Sequence, residues 1–144
     1  MALRISRDQL NRILRHGETA YPHECCGLLL GQATATGDRD IREARPMRNA
    51  NQASPQNRFD FDPQEHLVAQ REARENGLNI VGFYHSHPDH PAQPSQFDLD
   101  HASWPGYSYL IVSINAGRAG DVNSFELADD RSRFDQESIT VIAL

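Results

Sequence analysis

Residues 79–100 read NIVGFYHSHPDHPAQPSQFDLD, and their reading decides the fold. Ile80 to Tyr84 is a short apolar run rich in β-branched and aromatic side chains, the signature of a buried strand. Residues two apart on a strand project from one face, so this strand delivers His85 and His87 to the same point while Ser86 faces away. Pro88, Pro91 and Pro94 then end regular structure, because proline has no donor for a sheet ladder. Ser95 to Ala102 predicts the first turns of a helix with Ser95 as its N-cap. Positions i and i+3 are neighbours on a helix, which puts Ser95 and Asp98 on one face. With the proline loop folded back, that face lies opposite the two imidazoles.

Two imidazoles and a carboxylate form a donor set for zinc. Catalytic zinc commonly has three protein ligands, with Zn–N near ~2.0–2.1 Å, and keeps a fourth position for water. The spacing sharpens this: His85-Ser86-His87, seven residues, then Ser95-Gln96-Phe97-Asp98 resembles the JAMM (MPN+) metalloprotease motif H-[ST]-H-x7-S-x-x-D without a gap. That family has an upstream glutamate. Tyr21 to Gly31, YPHECCGLLLG, is similar to the corresponding segment, with Glu24 at the matching position. The likeness extends over most of the chain and looks closest to the short prokaryotic branch that processes ubiquitin-like and sulfur-carrier proteins.

The resemblance implies an α/β fold, an α-β-α sandwich of MPN type in which a mixed sheet has flanking helices. It implies Zn2+ held by His85, His87 and Asp98, with Glu24 activating water and Ser95 donating a hydrogen bond to the oxyanion. It further implies cleavage of a peptide or isopeptide bond after the Gly-Gly tail of a ubiquitin-like or sulfur-carrier protein. An extended tail of that kind could add a strand to an exposed sheet edge. No long insertion separates His87 from Ser95 or follows Asp98, which favours a minimal enzyme over one selective for polyubiquitin linkages.

Each residue also has a plainer role. Ser95 is, by type, a simple helix cap, and Glu24 a solvated carboxylate at a strand entry. His90 and His101 lie close enough to compete for the metal, although solvated positions are commoner. Cys25 and Cys26 could be thiol nucleophiles or soft ligands; burial as small hydrophobes fits an interior strand better. Two rival functions stay open at this level. One is a 2-His-1-carboxylate iron(II) site on a cupin-like barrel; two helices with apolar stripes and no Glu shortly after His87 stand against it. The other is a non-catalytic MPN scaffold binding a protein partner, against which all five motif positions are kept.

The chain's 144 residues fit a single domain, 1–144, with one core. A net charge of −6 without a basic cluster argues against nucleic acid. All fourteen basic residues are Arg, a compositional bias before it is a functional signal. The two cysteines are adjacent, a poor geometry for a disulfide, which excludes a secreted disulfide scaffold. Charges interrupt Met1 to Leu14 and no long apolar stretch follows, so neither signal peptide nor membrane span is expected and the cytoplasm is the default location. The oligomeric state is not legible.

Outside the motif, Ser6 is placed to cap a helix that runs to about Gly17, with Leu3, Ile5, Leu10, Ile13 and Leu14 partly at helical spacing. Glu24 to Gly31 predicts an interior strand, and Asp40 to Met47 a charged one near a sheet edge. Arg58 to Asp62 alternates in strand fashion with Phe59 and Phe61 inward. Pro63 then opens a helix capped by Asp62 and ended at Asn76-Gly77. Tyr107 to Ile114, Val122 to Leu127 and Ser138 to Leu144 predict strands, joined by a Gly-rich hairpin at Ala116 to Asp121 and a charged turn at Asp129 to Arg133.

Overall fold

A computed structural model describes residues 2–143; Met1 and Leu144, the latter expected at the end of the last strand, lie outside the described residues. β1 (Ala2–Ser6) buries Leu3 and Ile5 and runs straight into α1 (Arg7–Ala20). Those two residues are therefore strand and not part of a helical stripe; five residues carry too little alternation to separate from the helix behind them. Ser6 caps α1 as expected, its Oγ accepting from the Gln9 N–H at 3.2 Å. Gly17 does not stop the helix. A side chain there would meet Ile114 Cδ1 at 2.7 Å, so glycine lets α1 settle against that residue.

β2 (Cys26–Ala33) and β3 (Arg39–Met47) pair antiparallel. α2 (Pro63–Glu75) begins as the sequence indicates, with the Asp62 carboxylate accepting from the Gln64 and Glu65 N–H groups and Pro63 in its first turn. The segment before it is not a strand. Phe59 and Phe61 do pack inward, yet residues 48–62 form an irregular loop. β4 (Asn79–Pro88) is buried from Val81 to Pro88, and α3 (Gln96–His101) follows behind its Ser95 cap. β5 (Ser108–Asn115), β6 (Arg118–Leu127) and β7 (Phe134–Ile142) complete the chain, with the β5–β6 turn shorter than the expected hairpin.

The strand order is β1-β3-β2-β4-β5-β6-β7, mixed in direction, and β7 pairs back onto β1 so that the sheet closes on itself. Helices lie on both faces. β2 sends Leu29 into the cluster that holds Leu10 and Ile13 of α1, and Leu28 and Leu30 into the cluster that holds Ala69 and Ala73 of α2. A mixed α/β sheet with flanking helices is thus present, and the edge expected at β3 is found only in its second half, Glu43–Met47. β3 sits between β1 and β2, and its Arg39 is buried, bonded to Ser108 Oγ, Glu137 and the Gly106 carbonyl. Each described strand has a neighbour on both sides for part of its length, but Glu43–Met47 of β3 pair with β2 alone and Arg118–Val122 of β6 with β5 alone.

Closure puts tight demands on small residues in the middle of the sheet. A Cβ on Gly27 would lie 2.1 Å from the ring of Tyr84, which is fully buried with its hydroxyl 2.7 Å from His16 Nδ1. The ring has nowhere to move. Gly27→Ala is expected to destabilise the protein by about 3 kcal/mol or more in urea unfolding; an unchanged midpoint would contradict this register of β2 against β4.

Candidate active site

The end of β4 and the start of α3 meet. His85 Nε2 and His87 Nε2 are 3.1 Å apart, and Asp98 Oδ2 lies 3.1 Å from the second and 3.4 Å from the first. Tetrahedral bonds of ~2.0–2.1 Å would set such ligand atoms about 3.3 Å apart, so the three atoms have the spacing of one face of a tetrahedral site. The protonation pattern also fits. His87 Nδ1 lies 2.8 Å from the Pro91 carbonyl, which can only accept, so a neutral His87 carries its hydrogen there and turns a bare Nε2 toward the group. Among the described residues this is the cluster whose donors could hold a metal ion; His90 and His101 are not part of it. His101 Nδ1 instead binds the Phe97 carbonyl at 2.9 Å.

Electrostatics separate the group's members. Burial pushes Asp98 up, but hydrogen bonds from His85 and His87 and from the Ser95 N–H outweigh it and hold the carboxyl far below the usual range. Burial lowers His85. Burial also opposes protonation of His87, yet Asp98 and the Pro91 carbonyl together raise it.

Glu24 and Ser95 line one cavity of about 370 Å³ together with His87 and Arg58. Glu24 is 5% exposed and its Oε1 has no hydrogen-bond partner among the described residues. Burial pushes its carboxyl up to about 8, against the pull of His87 and Arg58. Ser95 is a helix cap, with Oγ accepting from the Asp98 N–H at 3.0 Å while Asp98 Oδ2 accepts from the Ser95 N–H at 2.9 Å. Accepting leaves the hydroxyl proton free to point into the cavity. Cys25 and Cys26 are buried free thiols, Cys25 pushed up to about 12 by burial, so neither is an ionised nucleophile at neutral pH.

A carboxylate whose Oε1 lacks a partner is aimed by its backbone, and here the loop before α2 holds that backbone. The Glu24 N–H donates to the Pro55 carbonyl at 2.7 Å. Asn49 Nδ2 donates to the carbonyls of Glu24 (3.2 Å) and Arg58 (3.0 Å), and its Oδ1 accepts from the Asn51 and Asp60 N–H groups. On the next residue, Cys25 N–H donates to the hydroxyl of Ser86, between the two histidines, at 2.8 Å. The loop also stacks Phe59 on His85, centroids 4.7 Å apart, and lays the Arg58 guanidinium 3.7 Å from the Phe97 ring centroid. Asn49, Arg58 and Phe59 carry no spacing motif; their roles follow from loop geometry that sequence periodicity does not encode.

The family described as prokaryotic homologues of the JAB domain matches residues 6–128. A desampylase from Haloferax volcanii is 37% identical over 115 residues, 77% of this chain and 80% of that protein. A CysO-cysteine peptidase from Mycobacterium tuberculosis is 31% identical over 125 residues, 87% of this chain and 82% of that protein. The solution structure of a protein from Desulfitobacterium hafniense superposes with a TM-score of 0.86 at 34% identity, covering 99% of this chain and 94% of that one.

Two outcomes follow from this geometry. Between pH 4.5 and about 8 the unfolded chain releases the Glu24 proton while the folded, metal-free protein keeps it, so stability falls as pH rises through that window. In Glu24→Gln that fall should shrink by up to about 5 kcal/mol, read from urea midpoints across pH; parallel curves for the two proteins would refute it. Asn49→Asp keeps the acceptor bonds and turns an oxygen on two carbonyls. It should lower stability by about 3 kcal/mol and speed hydrogen exchange at the Glu24 amide.

Proposed function

The chain belongs to the family of prokaryotic homologues of the JAB domain, and on that premise we propose that it is a zinc-dependent hydrolase. It cuts the peptide or isopeptide bond after the C-terminal Gly-Gly tail of a ubiquitin-like or sulfur-carrier protein. What carries the proposal is the three-atom ligand face of His85, His87 and Asp98 beside a buried carboxylate oxygen with no partner. The names of the relatives, a desampylase and a CysO-cysteine peptidase, support the same substrate class.

Zinc held by His85, His87 and Asp98 would supply hydroxide at neutral pH and positive charge against the scissile carbonyl. Glu24 takes the proton of the attacking water and returns it to the departing amine, a role suited to a buried carboxyl whose Oε1 has no hydrogen-bond partner and which stays out of the ligand face. Ser95 donates its free hydroxyl proton to the oxyanion. Phe59 covers one face of His85 and keeps water from it. The tail lies in the cleft between the 48–62 loop and α3, where Arg58 and Phe97 meet beside Glu24 and Ser95. We take residues 1–144 as one domain with the α-β-α layering of the MPN type, working in the cytoplasm. No described helix is long and apolar enough to cross a membrane.

The decisive measurement is turnover of a carrier protein fused after Gly-Gly. Glu24→Gln should keep one zinc per chain and lose about 100-fold or more in kcat. Ser95→Ala should lose about 100-fold while retaining metal. Chelation should abolish activity and zinc restore it; restoration by iron(II) alone would favour an iron enzyme, and full turnover by Glu24→Gln would end the mechanistic assignment.

A further inference from the structure

Arg58 lines the same cavity as Glu24, His87 and Ser95. The Phe97 ring fixes its half-buried guanidinium across the gap between the loop and α3. Among the described residues Arg4, Arg39, Arg45, Arg48 and Arg133 have a carboxylate within ion-pair distance; Arg58 is one of the nine arginines that do not, and of those it is the one that lines this cavity. A stacked guanidinium with no ion pair keeps its fork of N–H donors available for a carboxylate brought by a ligand.

The chemistry of hydrolysis identifies which part of a substrate reaches this cation. The water oxygen bonds to the carbonyl carbon, the C–N bond breaks, and the departing nitrogen keeps the bonding pair and gains the proton that water gave up. That proton comes back from Glu24, so the departing nitrogen must sit within hydrogen-bond reach of Glu24, in the cavity Arg58 lines. If the departing group is an amino acid joined through its α-amine, its carboxylate carbon is two bonds from that nitrogen. If it is a lysine joined through Nζ, no anion lies close by, because the whole aliphatic stem intervenes and the lysine carboxyl is normally in a peptide bond.

We propose that Arg58 is a specificity-determining residue that binds the α-carboxylate of the departing group, so that the enzyme releases a C-terminal amino acid from a Gly-Gly tail in preference to cutting a lysine isopeptide. This rests on the hydrolase assignment and on Glu24 as the proton carrier. Asn57 and Gln93, which line the same cavity, add polar groups around the carboxylate.

The test compares two substrates that differ in one group: a carrier protein ending Gly-Gly-Ala with a free carboxylate, and the same protein with that carboxylate amidated. The zinc-loaded wild type should favour the carboxylate about tenfold or more in kcat/KM, chiefly through KM, and the preference should shrink as salt rises. In Arg58→Met the ratio should fall to near one, and Arg58→Lys, which keeps the charge without the fork, should fall between. Zinc content and thermal midpoint identify any variant that fails to fold, and the wild-type ratio decides the matter without them. Equal rates on the two substrates in the wild type, or an undiminished ratio in folded Arg58→Met, would overturn the assignment alone. No cleavage of either substrate by the wild type would overturn the hydrolase assignment and this one with it.

Discussion

One carboxylate oxygen holds the site together. Asp98 Oδ2 accepts from the Ser95 N–H, closing the capping box of α3, and the same oxygen faces His87 and His85 across 3.1 and 3.4 Å. α3 is six residues long and buries none of them, so neither propensity nor packing would keep it helical by itself. Its cap and its tether to β4 are the same interaction. Ser95 Oγ, the Phe97 ring and the Arg58 guanidinium stacked on it take their positions from that anchor.

Two carboxyls share this small region and are driven in opposite directions. Asp98 is surrounded by donors and held anionic; Glu24 lies among buried neighbours and, in the metal-free protein, keeps its proton to about pH 8. Carboxyls pushed apart in this way suit the two roles proposed for them, ligand and proton carrier, a separation by environment rather than by residue type. The arrangement costs stability, since a buried carboxylate oxygen without a partner forfeits hydration. It persists because strongly determined structure surrounds it: Gly27 packed on the Tyr84 ring, Ser86 fastened to Cys25, and the Arg39 cluster joining β3 to β7.

Much of this was legible in the sequence because it is local. The strand that carries His85 and His87, the Ser95 cap, the i, i+3 relation to Asp98 and the Asp62-Pro63 helix start all depend on neighbours within a few residues, and each stands where the pattern put it. What the sequence concealed is non-local. β1 closes the sheet through parallel pairing of Ile5 with Val141, and no local pattern marks two short strands from opposite ends of a chain as partners. β3 read as an edge strand because of its charges, but Arg39 is satisfied by groups almost a hundred residues away. Gly17 read as a helix stop, whereas the close approach of Ile114 is what requires it.

The loop before α2 shows how a wrong expectation can bear on function. Alternation in Arg58 to Asp62 reads as a strand, and in a strand consecutive side chains leave by opposite faces. Arg58 and Phe59 could not then both face the ligand group. In the irregular loop they do: Phe59 stacks on His85 while Arg58 lies over Phe97. A loop without a ladder must satisfy its backbone groups in some other way, and Asn49 supplies this by bonding two carbonyls and two N–H groups with one side chain. Because one of those carbonyls belongs to Glu24, the residue that frees the loop from strand geometry also sets the position of the proposed proton carrier. The cleft between loop and helix, and the carboxylate that faces it, therefore form as a unit, and the side chain that joins them is one whose type alone, a polar asparagine in a polar loop, gave no sign of it.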